Sequence, residues 1–400
     1  MARLKYFTTY LTIILLIGFC GSALAQDGTI TGKITTAGGK QPMAKASVFL
    51  NNATFGTTSA DDGTFTLRGV KPGQYQLVIT SVGYQEEVQT IMVSNKTLTV
   101  NIDLRQKSMM LREVVIMTDA DWKKNYEIFK EDFIGTSENS KKCYVVNPRV
   151  VSLSYKSSKK LLEAYTDEFL VVENRALGYR VKYMINDFKT DKLNGIVSYE
   201  GRALFEQLPG SESQKQKWRD KRKEAYYGSA KHFFRSVYAD TYEEDGFIVK
   251  PFMRELNPAR APEELIQRKI KQFRTTNRDS ANYWINMVNM PKFYHEVLGK
   301  EAFKRNQFFF KTDDPGVFGM GVNKYLLYVI YTKKHEETNF RDLYRPLDME
   351  NFETSVMTFS KPVLYFDMNG RVLQDPPMLE GTWSKAKLAE LLPLDYMPGD

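Results

Sequence analysis

The chain has 400 residues, 42% of them apolar, so it can bury a sizeable core, and its length suits two or three domains. That composition excludes a disordered chain. The formal charge of +8 is a modest basic excess that suits anionic surfaces such as lipid head groups or lipopolysaccharide phosphates.

The first residues carry Arg3 and Lys5, then the apolar run LTIILLIGF (Leu11 to Phe19), then small residues at Ala23 and Ala25. This is the order of a secretory signal peptide, with cleavage expected after Ala25. Subtracting Arg3 and Lys5 from +8 leaves +6 on the mature chain. Export argues against nucleic acid as a partner. The greasy run is shorter than the roughly 18 to 20 apolar residues of a membrane span, and no other segment approaches that length, so no transmembrane span is expected in the mature form. A lipoprotein acylated at Cys20 would need a small residue before it, and bulky Phe19 stands there instead. Only Cys143 then remains, which rules out an internal disulfide and reads as a small buried hydrophobe rather than a nucleophile.

Residues 27–105 read as seven short strands: TITGKITT, KASVFLN, TFGTTS, GTFTLRG, QYQLVIT, EEVQTIMV and TLTVNIDL. In the last, Leu98, Val100, Ile102 and Leu104 alternate with polar residues, which predicts one buried and one wet face. Turn signals stand at AGGK (37–40), DDG (61–63) and KPG (71–73). The pattern predicts a sandwich of two antiparallel sheets. DDG lacks the spacing of a calcium loop and reads as a turn.

The ordered motifs GKIT, ASVFL, GTTSADDGTFTL, PGQYQL and VGY resemble the carboxypeptidase regulatory-like domain, a transthyretin-like β-sandwich. That resemblance covers about the first quarter of the chain and implies an accessory module, not a catalytic one. The zinc peptidase such modules accompany needs a His-x-x-Glu pair. Here Arg235, Leu298 and Thr338 stand three residues after His232, His295 and His335, so no metal site and no cofactor is expected.

QKSMMLREVVIMTDA (106–120) reads as a linker, with LREVVIM as a tether strand. A sandwich ahead of such a stretch is similar to the front end of TonB-dependent nutrient receptors, which suggests an association with outer-membrane nutrient uptake. A barrel of roughly 22 strands cannot fit in the residues after Ala120.

Residues 121–400 read as an α+β domain with a mostly antiparallel sheet. Trp122, Tyr126, Phe129 and Phe133 fall at helical spacing before Gly135. Strand-like runs come after it, among them GYRVKYMINDF, which DKLNG turns into a hairpin with GIVSYEGRALF. The spacing predicts one long helix over 211–240, opened by a Ser211/Gln214 capping box. A helix is expected through LIQRKIKQF, strands at NQFFFKT, KYLLYVIYT, FETSVMTFS and PVLYFDMNGRVL, and a short terminal helix over WSKAKLAELLP. The segments FIGTS, LGY, YEG, YYGSAKHFFRS and LLPLDYMP together resemble an exported bacterial family with this sandwich ahead of a second domain of unassigned function; the resemblance supplies no chemistry.

Two clusters are candidate sites. Lys215, Lys217, Arg219, Lys221 and Lys223, with Arg222, form a basic run that reads as an anion-binding surface or, more plainly, a solvated helix face. Arg222, Tyr226, Ser229, His232 and Arg235 form a candidate binding cluster, in which hydroxyl, imidazole and guanidinium could share one helix face. A mid-helix serine lacks the oxyanion donors a nucleophile needs, no G-x-S-x-G elbow or phosphate loop occurs, and no catalytic residue is assigned. The plainer reading is that the cluster is structural. The expected function is a non-catalytic cell-envelope binding or scaffolding protein whose partner is an envelope protein or a glycan. The alternatives are a glycan binder, suggested by the 13% aromatic content, and an envelope hydrolase with an unrecognised site.

Overall fold

The computed structural model describes residues 27–107, 117–336 and 343–399. The expected signal peptide, Cys20 and, except for Met117, the LREVVIM tether lie outside the described residues.

The front unit holds β1 (Gly28–Thr36), β2 (Ser47–Leu50), β3 (Gly56–Thr58), β4 (Thr64–Val70), β5 (Gly73–Thr80), β6 (Glu87–Val93), β7 (Thr97–Thr99) and β8 (Ile102–Leu104). One sheet runs β3-β2-β5-β6; the other sets β1 between β4 on one side and β7 with β8 on the other. Ile30, Ile34, Val48, Leu50, Leu77 and Ile79 fill the space between them, as alternation requires. Two expectations need correction. The last strand is broken in two, because the Asn101 side chain takes the Lys33 N–H at 3.0 Å in place of a ladder carbonyl. Its two pieces also pair with β1 in parallel, so this sheet is mixed rather than wholly antiparallel. DDG is a turn: Asp62 accepts from the Thr64 N–H at 3.0 Å and the Thr64 hydroxyl at 2.7 Å.

The second unit opens with α1 (Asp119–Ile134), capped by the Thr118 hydroxyl and stopped at Gly135, with Tyr126, Phe129 and Phe133 buried. It packs on a six-stranded antiparallel sheet of β9 (Cys143–Val145), β10 (Val151–Lys156), β11 (Leu161–Thr166), β12 (Leu170–Asn174), β13 (Tyr179–Asp191) and β14 (Ile196–Gln207). The β13–β14 hairpin turns where DKLNG stands, with Asp191 accepting from the Leu193 and Asn194 N–H groups.

Next come α2 (Glu212–Tyr226), α3 (Ala230–Ala239), β15 (Phe247–Leu256), α4 (Glu263–Phe273), α5 (Arg278–Val288) and β16 (Phe293–Leu298). The chain continues through β17 (Phe309–Lys311), β18 (Val317–Met320), β19 (Leu326–His335), β20 (Phe352–Thr358), β21 (Leu364–Asp367), β22 (Met378–Gly381) and α6 (Thr382–Lys385). They form a five-stranded sheet, β16-β15-β19-β20-β22, and a three-stranded one, β17-β18-β21. The described strand pairs of the second unit are all antiparallel. Phe233, Phe234 and Val237 of α3 sit in a core with Phe247, Phe366 and Trp383. The expected terminal helix is instead the single turn α6 and a 3-10 turn, Leu388–Glu390. Tertiary contacts override local propensity there: Trp383 donates to the Gly228 carbonyl at 2.7 Å, and Glu390 is held by Ser137 and by Asn139 at 2.8 Å.

The two units are joined by side chains as well as by chain connectivity. Ala53 pairs in parallel with Leu204 of β14, and the Asn52 N–H donates to the Ala203 carbonyl at 2.7 Å. This loop covers an edge that an uncapped strand would leave open to aggregation. The last residues then pass between the units. Leu392 and Tyr396 join the core under the six-stranded sheet, while Leu394, two residues from each, joins the sandwich core. Asp395 accepts from the Thr54 N–H at 2.8 Å and from the Thr54 hydroxyl.

Candidate functional site

The predicted 211–240 helix is two helices. Its start is as expected: the Ser211 hydroxyl accepts from the Gln214 N–H at 3.3 Å while the Gln214 side chain accepts from the Ser211 N–H at 3.0 Å. The helix then ends at Tyr226. Tyr227 is extended, Gly228 takes φ +87°, and Ser229 becomes the N-cap of α3 through a 3.2 Å bond from the His232 N–H. Ser229 therefore stands at the mouth of a helix and shares no helical face with His232 and Arg235.

His232 is buried in a ring of Tyr226, Tyr227, Phe247 and Tyr331, with centroids 5.0–6.0 Å away. Its Nδ1 accepts from the Gly228 N–H at 3.2 Å, which leaves the proton on Nε2, 3.7 Å from an Asp245 oxygen. Burial pulls the imidazole down to about 4, against a weaker upward pull from Asp245. The folded protein thus favours neutral His232. Because this folded value lies below the ordinary one, the stability His232 contributes by staying neutral is fully present above about pH 6.5 and is lost as pH drops from there toward 4. His232→Ala is expected to cost about 2–3 kcal/mol at neutral pH and to flatten that acid limb. Thermal melts at several pH values check this, and an unchanged Tm contradicts it.

Lys231, beside His232 in the first turn of α3, and Arg235, one turn on, reach the terminal segment. Arg235 donates to the carbonyls of Asn369 at 3.0 Å, Tyr396 at 2.8 Å and Leu394 at 2.7 Å. Lys231 donates to the carbonyls of Leu392 at 2.6 Å and Pro393 at 2.9 Å. Burial pulls the Lys231 ammonium down to about 7. Sequence reasoning missed Lys231. The signal was the proline-broken segment LLPLDYMP, whose backbone cannot join a ladder and whose carbonyls need donors from elsewhere. Tyr226 stacks edge-on against Tyr396 at 5.8 Å.

Arg222 leaves the basic run altogether. It is buried, donates to the Leu177 carbonyl at 2.7 Å and lies 3.9 Å over the Tyr179 ring. Trp218, Arg222 and Tyr226, spaced by four, are the inward stripe of α2. The remaining cations point outward. Lys215 pairs with Glu212 at 2.8 Å, Lys221 pairs with Glu224, and Arg219 bonds Gln216 at 2.8 Å, while Lys217 and Lys223 are exposed.

The other reactive residue types are dispersed. His295 is exposed on β16, and His335 contacts Glu350 at 2.8 Å on the far end of β19. Among the described residues no three His, Cys, Asp or Glu side chains converge as a metal cluster would. Cys143 is half-buried against the six-stranded sheet's core, and burial pushes its thiol up to about 12.

With this geometry in place, comparison with known proteins decides the identity of the front unit. Residues 30–116 match the family model of the CarboxypepD_reg-like domain. The match to the CarboxypepD_reg-like domain runs past β8 into the stretch read as a tether, and it agrees with the sequence resemblance. No curated protein matches the chain. Among solved structures, the backbone protein of group B streptococcus pilus 2b is 21% identical, covers 22% of this chain and 43% of its own, and has a TM-score of 0.19. A minor pilin of Streptococcus agalactiae is 17% identical, with coverage of 22% and 47% and a TM-score of 0.18. The chain thus spans less than half of either pilus protein. A Bacteroides fragilis protein of unknown function is 13% identical, with coverage of 76% and 89% and a TM-score of 0.17. TM-scores this low establish no common fold over the whole chain.

Proposed function

We propose that the chain is an exported, non-catalytic cell-envelope protein, in the periplasm or at the outer membrane, that binds or scaffolds another envelope component. The observation that carries this reading is the fate of the candidate cluster. Ser229 caps a helix, His232 is enclosed by rings, and Arg222 and Arg235 bind backbone carbonyls. The groups best suited to bond-breaking hold the chain together. The CarboxypepD_reg-like domain, fixed to the body through Asp395 and Leu394, would then present its surface at a set angle to the second unit. Among the described residues no helix is long and apolar enough to cross a membrane.

Crosslinking in intact cells, followed by fractionation and identification of the adduct, tests this. The expected result is a discrete adduct with one envelope component. Turnover of a peptide or polysaccharide that a point substitution abolishes without lowering Tm would overturn the reading.

A further inference from the structure

The hairpin of α4 and α5 stands apart from the rest of the molecule in both packing and charge. Its own core is thin: Ile266, Ala281 and Met287 are its buried apolar residues. Among the described residues, no side chain between 257 and 297 joins any of the four large apolar clusters. The hairpin rides on the β15–β16 ribbon, which Arg254 anchors through a 2.8 Å bond to Glu380 on β22.

Its surface is both greasy and basic. Leu256 is 66% exposed, Tyr283 and Tyr294 59% each, and Ile285 45%. Scattered apolar residues are ordinary on a surface, but here two stand on α5 and two on the β15–β16 ribbon that carries the hairpin. From Leu265 to Arg278 the chain carries Arg268, Lys269, Lys271, Arg274 and Arg278 and no carboxylate at all. Among the described residues none of these five makes an ion pair, in contrast to Lys215 and Lys221 on α2, each neutralised by its own Glu. The acids of α4, Glu263 and Glu264, stand at its first turn, and Glu263 is held by Arg260 at 2.6 Å. The five cations outnumber the exposed acids of the hairpin, Glu264 and Asp279, and together with the exposed Tyr283 and Ile285 of α5 they make it complementary to a negatively charged lipid leaflet: cations meet phosphates while Tyr and Ile enter the head-group boundary.

We infer that the α4–α5 hairpin is a peripheral membrane contact that docks on an anionic phospholipid surface. The basic run of α2 takes no part in it. The contact is independent of what the protein scaffolds, because it needs only lipid.

Flotation of the full mature chain with vesicles of phosphatidylcholine alone, or mixed with phosphatidylglycerol, tests the inference. Binding is expected only to the mixed vesicles and should weaken with salt. Combining Arg268→Gln, Lys271→Gln and Arg274→Gln should reduce it about a hundredfold, at about fivefold per cation. Tyr283→Ser with Ile285→Ser should also reduce it, whereas Lys217→Gln with Lys223→Gln on α2 should leave it unchanged. All these residues are exposed, so unaltered Tm values verify folding. Equal binding to neutral vesicles, no binding, or loss caused by the α2 pair overturns the inference. So does sedimentation showing a dimer that Tyr283→Ser dissociates, which would assign this face to a second copy of the chain.

Discussion

Arg235→Ala is expected to destabilise the protein by about 3–5 kcal/mol, more than His232→Ala on the same helix. One guanidinium donates to the carbonyls of Asn369, Leu394 and Tyr396, and alanine removes all three bonds. Each orphaned, partly buried carbonyl costs about 1–3 kcal/mol, less where water enters. Arg235→Lys should recover only part of the loss, because a single ammonium cannot span three acceptors held in a fan. Chemical denaturation gives the magnitude. Limited proteolysis gives the location: cleavage in residues 391–399 should accelerate before the sandwich is attacked.

Gly178→Ala should be nearly as damaging, at about 3–4 kcal/mol. Gly178 has φ +73°, and a Cβ there would lie 2.2 Å from the Trp218 ring. The Asn174–Gly178 turn is the seat of α2: Asn174 accepts from the Ala176 and Leu177 N–H groups, Trp218 donates to the Arg175 carbonyl at 3.0 Å, and Arg222 grips Leu177. The ring must move, and α2 moves with it. Gly195→Ala separates the two causes. It has nearly the same backbone angle, φ +66°, but open space around the would-be Cβ, so about 1 kcal/mol is expected. Equal losses at the two glycines would show that backbone strain alone acts and that the Trp218 contact contributes nothing.

These two contacts also mark what the sequence could convey. Local alternation located the sandwich strands, the α1 stripe of Tyr126, Phe129 and Phe133, and the β13–β14 hairpin, because period and turn chemistry are written in neighbouring residues. The parallel pairing of β7 and β8 with β1 was hidden, since alternation is the same for either strand direction. Gly228 and Ser229 did carry a stop and a cap, but the regular stripe from Trp218 to Val237 outweighed them in a one-dimensional reading. The α5 helix escaped notice because only Ala281 and Met287 of its eleven residues are buried, too few to set a period. For the candidate site, the sequence named Arg235 and Tyr226 but not their partners. Their role depends on residues near 394, some 160 positions away, and the separation for the Arg235–Leu394 bond is 159. The same long-range closure explains why α6 stops after one turn.

The sandwich and the α+β body are expected to unfold as one unit, because the terminal segment places Leu394 in one core and Leu392 and Tyr396 in the other. Differential scanning calorimetry of the full chain is the sharpest check on that unity. One cooperative transition is expected, with matching calorimetric and van't Hoff enthalpies, and Arg235→Ala should split it or move it as a whole to lower temperature. Two well-separated transitions in the unaltered protein would refute it.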